Sequence, residues 1–425
     1  MTQPDCSQRH ARFLAAGVVG NLLEWYDFAL YGTLAPVTAQ LFFPAADPSA
    51  ALVDTFAVFA LGFLARPLGG LIFGWLGDRL GRQPSLLLSV VLMAVPTCGM
   101  GLLPTYATAG LAAPLALALL RILQGLSAGG EFSGSIILLV ESAPSDRRGL
   151  YGSIANFGAM IGGVLGSFIG WLMTVWLPEA DVLAWGWRLP FLSGIVVGVF
   201  GLWLRRGIPD SPTYVRLAAA GRLPRQPVRQ ALQREWRQMV LAAGLNWVVS
   251  AGYYLAFVWL ASDVTVVVGL AYRVALGIET MGLVFGLAMT PLFGHLSDRY
   301  GRLPMLAGGA IATALLAVPM VALVGQGSIA AAVVAQLGLA LMVAAFLGTL
   351  PAVLVSLHQE TSRCTALGLS YNLALALFGG TAPLIATVLV KLTGWSLAPG
   401  LYLAATALLC LVLVRYLPKT EPARL

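Results

Sequence analysis

Residues 74–84 read GWLGDRLGRQP and residues 294–304 read GHLSDRYGRLP, near-copies set 220 residues apart in a chain of 425. A second set follows the first: Arg147, Gly152, Asn156 and Gly163 return as Arg363, Gly368, Asn372 and Gly379 at an offset of 216. The same motif in the same order and direction means one unit, duplicated and folded against its copy. The duplicated unit is very apolar, with 59% hydrophobic residues, 10% charged residues and a mean hydropathy of +0.85. A soluble domain carries about 25% charged residues. No water-soluble surface can be assembled from so little charge, so lipid is the main solvent.

Apolar stretches of the roughly 20 residues needed to cross hydrocarbon recur along the chain. They are expected near 13–41, 52–77, 84–103, 112–140, 150–176, 187–205, 238–261, 273–296, 303–324, 328–357, 364–390 and 395–416. Twelve spans place both ends and every second connection on one side. That side collects Arg9, Arg12, Arg79, Arg82, Arg147, Arg148, Arg299, Arg302, Arg363, Arg415, Lys419 and Arg424. The connection at 205–237 adds Arg205, Arg206, Arg216, Arg222, Arg225, Arg229, Arg234 and Arg237, making twenty of 25 basic residues. Arg188, Arg273 and Lys391 fall on the other side, and Arg66 and Arg121 inside spans. By the positive-inside rule the rich side is cytoplasmic, so both termini are expected there, in a multi-pass protein of the cell's inner membrane. The net charge of +7 is therefore a topology signal and not a nucleic-acid footprint. The Arg-rich segment reads as a solvated linker, with anionic headgroups as the second option.

Several classes are excluded. The two lysines, Lys391 and Lys419, follow no glycine-rich phosphate loop, so the chain supplies no ATPase of its own. His10, His295 and His358 are too scattered for a metal centre or a catalytic triad, and Cys6, Cys98, Cys364 and Cys410 show no paired spacing. No cofactor, metal or enzymatic activity is expected. The first apolar stretch carries Glu24 and Asp27 and lacks a small-residue cleavage site, so it reads as a retained span. Parallel repeats in a membrane protein point to transport, with energy from gradients.

Each copy of the repeated loop closes one span and opens a turn with Asp-Arg-x-Gly-Arg. Gly74 and Gly294 permit close helix approach, and Gly81 and Gly301 suit a left-handed turn position. Asp78, Arg79, Arg82, Asp298, Arg299 and Arg302 form charge sets that can hold helices in one conformation and release them in another, a gating role.

Ionisable groups near the middle of a span cost roughly 2.5–3.5 kcal/mol each, so they mark function. Glu24 lies about 16 Å into its helix at 1.5 Å per residue. Asp27 and Tyr31 follow at i+3 and i+7 on one face, flanked by Asn21. In the fourth span Arg121, Gln124 and Glu131 fall within an arc of about 80° at 100° per residue. Arg66 is open between a structural partner and a functional charge, and Glu279, near the outer end of the eighth span, reads as structural. Trp25, Tyr26, Phe28, Tyr31, Trp247, Tyr253 and Tyr254 read as belts or packing first, and second as a cage for a quaternary ammonium. Asn156, Asn246 and Asn372 are neutral hydrogen-bonding candidates. Gly158, Gly162, Gly166 and Gly170 form a close-packing stripe.

GWLGDRLGR and GHLSDRYGR resemble the cytoplasmic loop motif of the major facilitator superfamily. GNLLEWYDFALYG, ARPLGGLIFGWLGDRLGRQ, RILQGLSAGGEFSG, ESAPSDRRGLYGS and WGWRLPF resemble its metabolite:proton symporter family, whose members take up proline/betaine, shikimate, 2-oxoglutarate or citrate. The resemblance covers most of 17–215 and the second half more loosely. It implies an all-α integral membrane protein of the major facilitator fold: twelve transmembrane helices in two pseudo-symmetric six-helix bundles. The domains expected are 1–205 and 238–425, joined by a cytoplasmic linker at 206–237.

In such proteins the first and fourth helices line the cavity, which implies that Glu24, Asp27, Arg121 and Glu131 meet in one polar site. Buried charges must pair, and this set offers both signs. A carboxylate held between an arginine and apolar walls carries a proton, with Glu131 or Glu24 preferred and Asp27 third. The released arginine then holds a substrate carboxylate. Asn21, Tyr31, Arg121, Gln124, Asn156, Trp247, Tyr253, Tyr254 and Asn372 are the expected substrate contacts. The leading reading is a monomeric, proton-coupled importer of a small organic acid or zwitterion, working by alternating access. An exporter or antiporter is the first alternative, although GAMIGGVLGS lacks the Gly-Pro pair of such proteins' fifth helix. A betaine/proline-type osmolyte importer is the second, although the chain ends on YLPKTEPARL without the coiled coil often carried by osmosensing relatives.

Overall fold

The computed structural model describes residues 6–43, 48–206, 209–260 and 272–418. Twelve long helices occur there, one at each expected span. In chain order they are α1 (Cys6–Thr33), α2 (Pro48–Arg79), α3 (Arg82–Leu102), α4 (Ala112–Ser142), α5 (Arg148–Trp176) and α6 (Arg188–Arg205). The second half adds α7 (Trp236–Trp259), α8 (Tyr272–Tyr300), α9 (Arg302–Val324), α10 (Ile329–Leu357), α11 (Arg363–Thr393) and α12 (Ala398–Val414). No strand occurs among the described residues. A backbone in hydrocarbon must satisfy every N–H and C=O within itself, which the helix does.

Ten of the twelve meet the length and apolarity needed to cross a membrane. The other two are α1, which carries Glu24 and Asp27, and the 17-residue α12. Large apolar side chains such as Leu64, Leu115, Leu315 and Leu392 stay 69–79% exposed on the outward faces, as lipid contact requires. The first expected span, 13–41, is broken at Leu34, where Ala35–Phe42 begins a new short helix with proline in its first turn. The expected linker is itself partly helical, with Pro212–Ala219 and Pro227–Arg234.

The chain divides into two compact units. One holds Met1–Leu138, Gly158–Ala231 and Glu360–Leu369; the other holds Leu139–Phe157, Leu232–Gln359 and Ser370–Leu425. Each unit is thus built mainly of one half of the sequence and takes in a short helix-end segment of the other.

In the first unit the glycine stripe packs α5 on α1. A Cβ on Gly158, Gly162 or Gly166 would stand within 3 Å of the α1 backbone at Val18, Leu22 or Tyr26. Small residues let backbones approach closely where the hydrophobic effect between helices is absent.

Candidate functional site

Glu24, Asp27, Arg121 and Glu131 enter three separate ion pairs rather than one four-membered cluster. In the first, Arg66 Nη1 donates to Glu24 Oε1 at 2.7 Å, both side chains at most 2% exposed. The second Glu24 oxygen, Oε2, is buried and has no hydrogen-bond donor among the described residues.

The second pair is more elaborate. Arg121 Nη1 donates to Asp27 Oδ2 at 2.7 Å and to Gln124 Oε1 at 2.9 Å. Gln124 Nε2 returns to Asp27 Oδ1 at 2.6 Å and reaches Thr97 Oγ1 at 2.8 Å. The i, i+3 spacing of Arg121 and Gln124 on α4 is what lets both meet one carboxylate. Aromatic rings close the other sides: the Arg121 guanidinium carbon lies 4.3 Å from the Tyr31 ring centre, 4.9 Å from Phe28 and 5.1 Å from Phe59. The α1 aromatics expected as a cage therefore already hold a cation, the arginine of the protein itself. Tyr26 faces elsewhere, its hydroxyl donating to Pro190 O on α6 at 2.9 Å.

The third pair joins Glu131 to Arg205, whose Nη2 meets Oε1 while Nη1 meets Oε2 at 3.0 Å. Ser89 adds its hydroxyl to Oε2, so both Glu131 oxygens are occupied. The sequence reading put Arg205 in the cytoplasmic connection, yet it is the last residue of α6 and is 4% exposed. Its long stem carries the guanidinium back into the bundle. Asn21, one turn before Glu24, donates to Ser135 Oγ at 2.8 Å, tying α1 to α4.

The remaining expected contacts lie in the second unit. Asn156 Nδ2 donates to Leu347 O at 2.7 Å. Trp247 stacks on Phe378 with centroids 4.1 Å apart and donates its indole N–H to Tyr402 at 3.0 Å. Tyr253 meets Tyr254 edge-on at 5.5 Å, and Asn372 is fully buried.

The two repeated loops place their aspartates at helix amino ends. Asp78 accepts from Cys364 N at 3.0 Å, Thr365 N at 2.9 Å and Thr365 Oγ1 at 2.8 Å, at the start of α11. Asp298 accepts from Gly149 N at 2.7 Å and Leu150 N at 2.8 Å, at the start of α5. A carboxylate there satisfies orphan donors and meets the positive end of the helix dipole. Arg82 and Arg302 stand 3.8 and 3.9 Å from these carboxylates. Arg79 and Arg299 point outward, over Trp75 and Tyr300. Close approach occurs at Gly74, where a Cβ would stand 2.6 Å from Thr365 Cα, and at Gly294, where it would meet Ser153 Oγ at 2.6 Å. Gly81 and Gly301 adopt φ of +111° and +94°, which side chains with a Cβ avoid.

Sequence reasoning missed Asp210, in the segment after α6. It accepts from Arg82 N at 2.9 Å and Gln83 N at 3.4 Å, capping α3, and burial pushes its carboxyl above the usual range. The Asp-Ser-Pro run ahead of a helix was the available signal, since such residues favour caps and turns.

Two family models match the chain: "Sugar (and other) transporter" over residues 13–223 and "Major Facilitator Superfamily" over 274–425. A proline/betaine transporter of Salmonella typhimurium is 34% identical over 410 residues, covering 94% of this chain and 81% of that protein. The inner membrane metabolite transport protein YhjE of Escherichia coli is 36% identical over 417 residues, covering 94% and 92%. The solved structure of the proton:xylose symporter XylE bound to 6-bromo-6-deoxy-D-glucose superposes with a TM-score of 0.82 at 19% identity, covering 98% of this chain and 97% of that one.

Proposed function

As the chain belongs to the major facilitator superfamily, in its metabolite:proton symporter family, and is a membrane transporter rather than an enzyme, we propose that it imports a small zwitterion of the proline or betaine class together with a proton. The relatives named for proline and betaine support the substrate class. One observation supports the coupling: Glu24 is buried with Arg66 on one oxygen and, among the described residues, no donor on the other. A buried carboxylate oxygen without a donor is costly in low dielectric, and taking a proton relieves that cost. Glu131 has donors on both oxygens and Asp27 likewise, so Glu24 is the proton carrier in this reading. Protonation weakens the Glu24–Arg66 ion pair that ties α1 to α2, which couples proton uptake to the contact between those helices. The six-helix halves 1–205 and 238–425, joined by 206–237, move as the alternating parts, with both termini cytoplasmic. The helix caps at Asp78 and Asp298 break and re-form in the cycle.

Proteoliposomes with an imposed inward proton gradient test this. Labelled proline or glycine betaine should accumulate uphill, 2-oxoglutarate should not, and a protonophore should collapse the accumulation. Glu24→Gln should abolish gradient-driven accumulation while leaving counterflow exchange. Uphill uptake retained by Glu24→Gln, or a preference for 2-oxoglutarate, overturns the assignment.

A further inference from the structure

The buried acids of the first unit each have an arginine. Glu279, on α8 in the second unit, has no ion pair and no hydrogen bond among the described residues, although it is partly buried. It lies on the inward side of α8, beside buried Ile278, Gly282 and Leu283. Glu279 lies within electrostatic reach of Tyr253 on α7. Tyr253 packs on Tyr254 at 5.5 Å and on Phe257 at 5.1 Å, where α7 passes into the π-turn Leu255–Trp259 that touches α8. Such turns break regular helix geometry and recur at functional sites.

A second unsatisfied group lies one turn along. Gln336 on α10 is 1% exposed, and its amide Nε2 is buried without an acceptor among the described residues. It is 2.5 Å from the place a Cβ on Gly282 would occupy. Gly282 follows Glu279 by three residues, about 4.5 Å along the helix axis. A carboxylate that needs a cation, aromatic rings and an amide donor that needs an acceptor thus occur within one helical turn. A small zwitterion presents the complementary pair, an ammonium group and a carboxylate a few ångströms apart.

We infer that Glu279, with Tyr253 and its neighbouring rings, forms an organic-cation subsite, and that Gln336 Nε2 takes the anionic end of the same ligand. The carboxylate supplies charge and the ring faces supply cation–π contact to an ammonium that is too large or too alkylated to hydrogen-bond fully. The assignment of this ligand as the transported one rests on the zwitterion reading above; the subsite itself does not.

The test uses three probes on the purified full-length protein: tetramethylammonium for the cation alone, 3,3-dimethylbutanoate for the anion alone, and glycine betaine for both. Calorimetric binding to wild type should be strongest for glycine betaine. Glu279→Gln should raise Kd for tetramethylammonium and glycine betaine at least tenfold and leave 3,3-dimethylbutanoate within twofold. Gln336→Leu should do the reverse, sparing tetramethylammonium. Glu279→Asp, with unchanged helical content, should restore part of the cation affinity and so exclude misfolding as the cause. Absence of tetramethylammonium binding to wild type overturns the inference, as does a Glu279→Gln protein with unchanged cation affinity. Glu279→Gln with normal affinity but no gradient-driven accumulation would make Glu279 a proton site, which also overturns it. Tetramethylammonium binding that depends on Glu279, in a protein that accumulates no zwitterion, would sink the transport reading and leave the subsite standing.

Discussion

Asp78 and Asp298 occupy matching positions in the two repeats, and each closes the amino end of a helix. Asp78 accepts three hydrogen bonds, two from backbone and one from the Thr365 hydroxyl, and is 1% exposed. Asp298 accepts two, both from backbone, and its surroundings are more open. Thr365 is the second backbone donor of one cap and Leu150 that of the other, so one cap has a hydroxyl where the other has only hydrocarbon. Arg82 beside Asp78 is 1% exposed, with its side chain donating to Gly77 O at 2.9 Å and Glu360 O at 3.3 Å. Duplication preserved the carboxylate and its helix target; residues outside the motif decide how deeply each cap is set.

The sharpest way to break this comparison is to remove both carboxylates in turn. Asp78→Ala strands buried N–H donors and leaves Arg82 without its counter-charge, so the loss should be about 3 kcal/mol. Asp298→Ala should lose about half of that, roughly 1.5 kcal/mol. Thermal unfolding in detergent measures the difference, and equal losses would show that depth does not matter. A smaller effect sharpens the cause. Thr365→Val removes one hydroxyl bond, about 1 kcal/mol, while Leu150→Thr should bring the Asp298 cap closer to its counterpart; a Leu150→Thr protein no more stable than wild type would count against the hydroxyl as the source.

The smallest effect concerns Asp210, which has no part in the repeat. Burial raises its carboxyl above the ordinary 3.8, so the folded state keeps the proton to higher pH than the unfolded state does. Its contribution to stability is therefore greatest below 3.8 and declines as pH rises through the raised value, then stays level. Wild-type stability relative to Asp210→Asn should fall along that interval; a rise with pH would show that the backbone donors of Arg82, Gln83 and Ser211 outweigh burial.

The spans were legible because hydrocarbon thickness sets one length scale, and ten of the twelve long helices meet it in length and apolarity. Glu24, Asp27, Arg121 and Glu131 were each legible as charges inside spans, which have few reasons to exist, but the single site expected of them resolves into separate pairs. Their partners were not legible. Arg205 ends α6 and reads as linker, yet its side chain turns back to Glu131. Phe59 carries nothing that marks it as a wall for Arg121, and Thr97 looks like any small polar residue on α3. Glu279 read as structural from its place near the outer end of its span; Tyr253 and Gln336 lie 26 and 57 residues away, on α7 and α10.

Composition, periodicity and duplication alone determined that this chain is a lipid-embedded bundle of twelve helices in two related halves, since those properties act within a helix or between copies of one. Which acid meets which arginine, which carboxylate oxygen is left without a donor and how deeply each loop aspartate is capped were decided only by tertiary packing. Those outcomes depend on side-chain direction and on ångström-scale distances between helices far apart in the chain, and no local pattern encodes them.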